Sequence, residues 1–171
     1  MTGAGPQYPE GTTTVGTRPL VLTIAACLGF AFAARLLAPP PGAEAWYMEL
    51  ERPGFAAPAV IVLLVGAFYY LVFGTILYRA QVHIAPPEER RTAIGLVLAV
   101  LAFNAVWNGL FIRLESPGAG VLGTLAMAGL LGALALVLRR HDRTSLLFLA
   151  PYLAWVAWDL VWGISIWRLN S

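Results

Sequence analysis

The chain contains no lysine, one cysteine and two histidines, and only 12% of its 171 residues are charged. Each shortage excludes something. Without lysine, and with the arginines placed near the ends of apolar runs, no basic patch is available to follow a nucleic-acid backbone, so nucleic acid is set aside as a partner. Cys27 has no second cysteine to pair with, which removes both a disulfide framework and a cysteine metal site. His83 and His141 sit far apart in polar connections among arginines, where solvation is the simpler reading than metal ligation. No glycine-rich phosphate loop is present. Ser116 and Ser165 lack a nearby histidine to serve as a base.

What remains is overwhelmingly apolar. Hydrophobic residues make up 59% of the chain and the mean hydropathy is +0.74, whereas a soluble domain carries about 25% charged residues. The expected class is an all-α integral membrane protein, a bundle of five transmembrane helices, each long enough to cross a hydrocarbon core. Residues 1–17, rich in Gly, Pro and Thr, read as a disordered tail. Residues 18–38 read as the first span; a signal peptide is the competing reading of this stretch, because Arg18 precedes an apolar core and small residues follow. Residues 39–57 form a polar connection too long for an ordinary connector and read as a lid or binding loop. Its aromatics, Trp46, Tyr47 and Phe55, also suit a plain interfacial anchor.

Four further spans are expected at 58–79, 92–112, 118–138 and 146–167. In the second, Gly66, Tyr70, Phe73, Gly74 and Leu77 share a helical face. The third places Asn104, Trp107, Asn108 and Phe111 at steps of three and four, so two amides share a face with an indole and can bond a ligand or a neighbouring helix. In the fourth, Gly120, Thr124, Ala128 and Gly132 form a small-residue stripe suited to close packing inside the bundle, with a homodimer contact as the alternative use. The fifth carries Trp155, Trp158, Asp159, Trp162 and Ile166 in one stripe. An acid at that depth points to a ligand or proton site, or to a pairing with a buried donor on another helix.

Five spans place the termini on opposite sides. The tail and the connections after the second and fourth spans hold Arg18, Arg79, Arg90, Arg91, Arg139, Arg140 and Arg143, against Arg35, Arg52, Arg113 and Arg168 on the other side. The positive-inside rule then expects a cytoplasmic N-terminus and an outward-facing 39–57 loop, in a bacterial inner (cell) membrane.

Several motifs together resemble the TspO/MBR family, the tryptophan-rich sensory proteins also called translocator or peripheral-type benzodiazepine receptor proteins. The loop signature is similar to Trp46, Tyr47, Leu50, Arg52, Pro53 and Pro58. The third-span signature is similar to Asn104, Trp107, Leu110 and Phe111. The last resembles Pro151, Tyr152, Leu153, Ala154 and Trp155, followed by Trp167 and Asn170. The resemblance covers about residues 18–170.

It implies a five-helix bundle, often dimeric, whose pocket is closed by the first loop and takes porphyrins, sterols or other apolar ligands. No cofactor is implied as a requirement; porphyrin or haem enters as a ligand. By motif position the pocket receives Trp46, Tyr70, Asn104, Trp107, Trp155 and Trp158, to which the residue pattern adds Asn108, Asp159 and Trp162. The departures are specific. A tryptophan tied to porphyrin chemistry in the family aligns with Gly66. Trp162 and Gly163 replace a Leu-Asn pair, and Asp159 stands where small or hydroxyl residues are usual. The expected function is binding of a hydrophobic small molecule (a tetrapyrrole, sterol or isoprenoid-like compound) for transport, sensing or regulation. The alternative is a membrane enzyme using Asp159 as general acid or base on an isoprenoid-like substrate, oriented by Asn104 or Asn108. That chemistry needs a second titratable group, for which Glu49 and Glu51 in the loop are the candidates.

Overall fold

A computed structural model describes residues 16–55 and 57–171. The elements are α1 (Thr17–Leu37), α2 (Ala45–Glu49), α3 (Ala59–His83), α4 (Pro87–Leu114), α5 (Pro117–His141) and α6 (Arg143–Leu169). Five of them, all but α2, are long and apolar enough to cross a membrane, as expected. Apart from Gly16 and Thr17, the tail expected over 1–17 lies outside the described residues.

The helices outrun the apolar segments that announce them. α3 continues to His83 rather than stopping at Arg79, and α4 begins at Pro87 rather than at Thr92. α5 reaches His141, and α6 already starts at Arg143. The extra turns are polar and suit the helix dipole: Glu88 and Glu89 stand in the first turn of α4, and Arg139, Arg140 and His141 in the last turn of α5. Both histidines therefore end helices instead of lying in connections. α4 ends where Glu115 takes the left-handed conformation (φ 47°), and Ser116 caps α5 by accepting the Ala119 amide at 3.2 Å.

Neighbouring helices run α1, α3, α6, α5, α4 and back to α1, with α3 also touching α4 across the middle. In lipid, apolar surface has no drive to leave its solvent, so close packing and hydrogen bonds hold helices together. Gly109 shows how close: a Cβ there would run into the Leu37 carbonyl of α1. That same carbonyl accepts a hydrogen bond from the Arg113 guanidinium at 3.1 Å, which places a cation at the C-terminus of α1. On α5, Gly120 of the expected stripe packs in the same way, as does Gly123 outside it, since Cβ atoms there would strike Phe111 and Trp107 of α4, whereas Gly132 at the far end of the stripe meets nothing within 4 Å. Tyr69, not Tyr70, is the fully inward tyrosine of α3; it is buried and donates to the Val100 carbonyl of α4 at 3.0 Å.

The end away from the lid is fastened by an ionic cluster. Arg79 of α3 donates to both carboxylate oxygens of Asp142, at 2.8 and 3.1 Å. Asp142 also caps α6, accepting the Ser145 amide at 3.2 Å and its hydroxyl at 2.6 Å. Burial alone would raise the Asp142 carboxyl. The hydrogen bonds from Arg79 and Ser145, with the Arg79 charge, outweigh it and hold the group below its ordinary value of 3.8. Gln81 ties α3 to α1 at the same end, donating to the Thr23 hydroxyl at 3.0 Å.

Candidate functional site

A cavity of about 290 Å³ lies between α4, α5 and α6 beneath the lid, and α3 contributes only Val62 to its lining. One wall is the aromatic ladder of α4. Phe103 and Trp107 stack with centroids 5.6 Å apart, and Phe111 continues the row at 6.5 Å. The facing wall is the α6 stripe Tyr152, Trp155, Val156, Asp159, Trp162, Gly163 and Ile166, a run at helical spacing. α5 supplies the third side. Its Gly123 leaves room for Trp107, and its Thr124 hydroxyl donates to Asp159 Oδ2 at 3.1 Å.

The 39–57 segment packs on the ends of α4 and α6 through contacts that the sequence does not announce. α2 is a helical turn inside the stretch expected as loop. Trp46 Nε1 donates to the Ile112 carbonyl at 3.1 Å, and the Trp46, Tyr47 and Phe111 rings meet edge to face at 5.6–5.7 Å. Further along, the Asn170 side chain and the Glu51 backbone exchange two hydrogen bonds, at 3.0 and 3.1 Å. Arg52 turns back onto the Tyr47 carbonyl at 3.1 Å and over its ring. Tyr47 thus reaches the cavity, where its hydroxyl accepts the Trp162 indole N–H at 3.3 Å.

Of the nine residues expected at the site, six line this cavity: Asn104, Trp107, Asn108, Trp155, Asp159 and Trp162. Trp46 anchors the lid and leaves the lining to Tyr47. Tyr70 packs edge-on against Tyr69 at 5.1 Å and lies outside the lining. Trp158 faces the other way. It stacks on Trp162 at 5.6 Å and lines a second, more open groove of about 590 Å³ between α3 and α6, together with Phe68 and Pro151. The stripe assigned to Asp159 and three indoles is therefore narrower than expected: Trp158 falls on its far edge because a step of three and a step of four diverge by about 100° around a helix. Tyr152 and Trp155 border both spaces.

Among the described residues, the two asparagine side chains bond no other helix. Asn108 Nδ2 donates one turn back to the Asn104 carbonyl at 2.9 Å and to its Oδ1 at 3.3 Å. Gly66 stands one turn on from Val62, with nothing within 4 Å of where a Cβ would be. Sequence reasoning missed Phe103, Tyr47, Tyr152 and Thr124. The 152–166 spacing could have found Tyr152, whereas Thr124 was hidden in a stripe that reads equally well as packing. Among the described residues, no three His, Cys, Asp or Glu side chains gather as a metal site.

A sequence profile of the TspO/MBR family matches residues 21–168. The chain is similar to the tryptophan-rich protein TspO of Archaeoglobus fulgidus, 28% identical over 89% of this chain and 97% of that one. The tryptophan-rich protein TspO of Chlorobaculum tepidum is 28% identical over 88% and 95% of the two chains. The human translocator protein is 25% identical over 73% and 75%.

Proposed function

The chain belongs to the TspO/MBR family, and from that premise we propose that it binds a hydrophobic small molecule in the cavity between α4, α5 and α6, for transport, sensing or regulation. The observation that carries this reading is the cavity itself. Aromatic walls from two helices enclose a few convergent polar groups under a lid held by hydrogen bonds at both ends, the usual composition of a ligand site. A tetrapyrrole, a sterol or an isoprenoid-like compound is the ligand class considered. With about 290 Å³ available, near the lower end of such sites, a compact ligand is favoured over a full macrocycle. The Gly66 position, where the family carries an indole linked to porphyrin chemistry, favours the same conclusion.

Binding is favoured over catalysis because, among the described residues, Asp159 is the one carboxylate in the lining, with no imidazole or guanidinium beside it. Glu49 and Glu51 are exposed on the lid, and neither lines the cavity. The lid end is assigned to the outer side of a cell membrane from the arginine distribution. The apolar face of α1, exposed at Leu22, Leu28 and Phe32, meets lipid or a second copy of the chain.

The test is titration of the purified protein with a panel of planar apolar ligands, compact ones alongside porphyrins, read as quenching of tryptophan fluorescence, with sterols and isoprenoids added as competitors. Saturable quenching that competitors reverse is expected. Flat titrations across the whole panel would contradict the reading.

A further inference from the structure

We propose that the ligand selected by this cavity is an apolar monocation, with an ammonium-type nitrogen on Asp159 and a hydrocarbon or aromatic body between the two indole-bearing walls. The inference rests on the cavity being the ligand site and adds the chemistry of what enters it.

The carboxylate has acceptor capacity that the protein does not fill. Asp159 Oδ2 receives the Thr124 hydroxyl at 3.1 Å, and that single proton also faces the Gly120 carbonyl at 3.1 Å. Among the described residues no donor reaches Oδ1, yet no buried side-chain oxygen is left without a partner. Oδ1 therefore opens into the cavity. A carboxylate can accept about four hydrogen bonds, so most of its capacity points at the space a ligand would fill.

Among the described residues, no ion pair reaches Asp159 either. Two arginines at the lid end are committed elsewhere, Arg113 to the Leu37 and Gly109 carbonyls and Arg52 to the Tyr47 carbonyl. An acid within a membrane span is costly unless something pairs with it, and here the protein supplies one shared hydroxyl. Against an ionised Asp159, a ligand carboxylate would bring like charge, and an ether or ketone only further lone pairs. A ligand cation would bring both the missing donor and the missing charge.

The surrounding rings favour the same occupant. Trp155 and Trp162 stand one turn to either side of Asp159 on α6, and Trp107 faces them from α4. Their π faces attract a cation, indole most strongly of the aromatic side chains. They also accept the apolar remainder of the molecule.

The experiment compares 1-naphthylmethylamine, an ammonium at pH 7, with its neutral counterpart 1-naphthylmethanol. Both are titrated into the full-length protein in one detergent and followed by tryptophan quenching. The ammonium is expected to bind about tenfold tighter or more, the scale of a charge-assisted bond over a neutral one. Asp159→Asn is expected to bring the two within about twofold, and Asp159→Glu to keep the preference. Equal affinities in the wild type, or a preference that survives Asp159→Asn, would overturn the cation assignment and leave the cavity as the ligand site. Binding of neither probe would count against both. If Asp159→Asn does not fold, Asp159→Ser takes its place under the same criterion: loss of the ammonium preference supports the assignment, and a preference that survives overturns it.

Discussion

Replacing Asp142 separates two jobs that one side chain performs at the end opposite the lid. Its carboxylate pairs with Arg79 and also caps α6. The Asp142 side chain is 4% exposed and that of Arg79 is 23% exposed. Stranding one partner of a fully buried pair costs about 3–5 kcal/mol. Because Arg79 can turn partly toward water, the loss here should be nearer 2 kcal/mol. Losing the cap adds about 1 kcal/mol. Asp142→Ala is therefore expected to destabilise by about 3 kcal/mol, and Asp142→Asn, which keeps a capping oxygen but not the charge, by about 2 kcal/mol. Unfolding in detergent, followed by far-ultraviolet circular dichroism, measures both. The sign with pH follows from the lowered carboxyl. Its contribution is fully present above the ordinary value of 3.8 and is lost as the pH falls through the lower folded-state value. The gap between wild type and Asp142→Asn should accordingly close only in strong acid. An Asp142→Ala protein as stable as wild type would refute the reasoning, and Asn as costly as Ala would refute the division between charge and cap.

Two other substitutions probe the lid and the packing. Asn170→Ala removes both bonds to the Glu51 backbone, and we expect proteolysis within 39–57 to rise by about two- to fivefold, the scale of one modest hydrogen bond. An unchanged cleavage rate would mean that this latch does not hold the lid. Gly109→Ala would press a methyl group into the Leu37 carbonyl and should cost about 2 kcal/mol. Gly132→Ala, which meets nothing within 4 Å, should be neutral or slightly stabilising in the same unfolding measurement.

The five spans were legible because a bilayer demands about 20 apolar residues per crossing, and that demand writes itself directly into hydropathy. Helix ends were not legible, since hydropathy marks the apolar slab and not the helix. Pro87 to Arg91 continue α4 beyond the apolar run, and Glu88 and Glu89 there suit its N-terminal dipole. α2 left no signal of its own: five residues cannot nucleate a stable helix alone, and this turn depends on Trp46 reaching Ile112, 66 residues away.

At the site, Asn104, Trp107 and Asp159 could be read because polar or large residues recur at helical steps on an apolar background. Tyr69 and Tyr70 could not be told apart, since α3 is apolar all round and presents no polar face to set its rotation. Thr124 was hidden by its own stripe, because the small residues that let two helices approach are also the ones that let a hydroxyl meet an acid across them.

The central claim is that the ligand occupies the space between α4, α5 and α6. It is tested most directly by filling that space and titrating again. Gly163 lines the cavity, and a Cβ there would stand 3.6 Å from Val121 in ordinary contact, so Gly163→Leu adds bulk to the cavity without a backbone clash. Gly132→Leu adds the same bulk on an open face of α5. With a ligand that quenches wild-type tryptophan fluorescence saturably, Gly163→Leu should weaken binding by at least about tenfold, while Gly132→Leu should leave it within about twofold of wild type. Equal affinities in all three proteins would contradict the account.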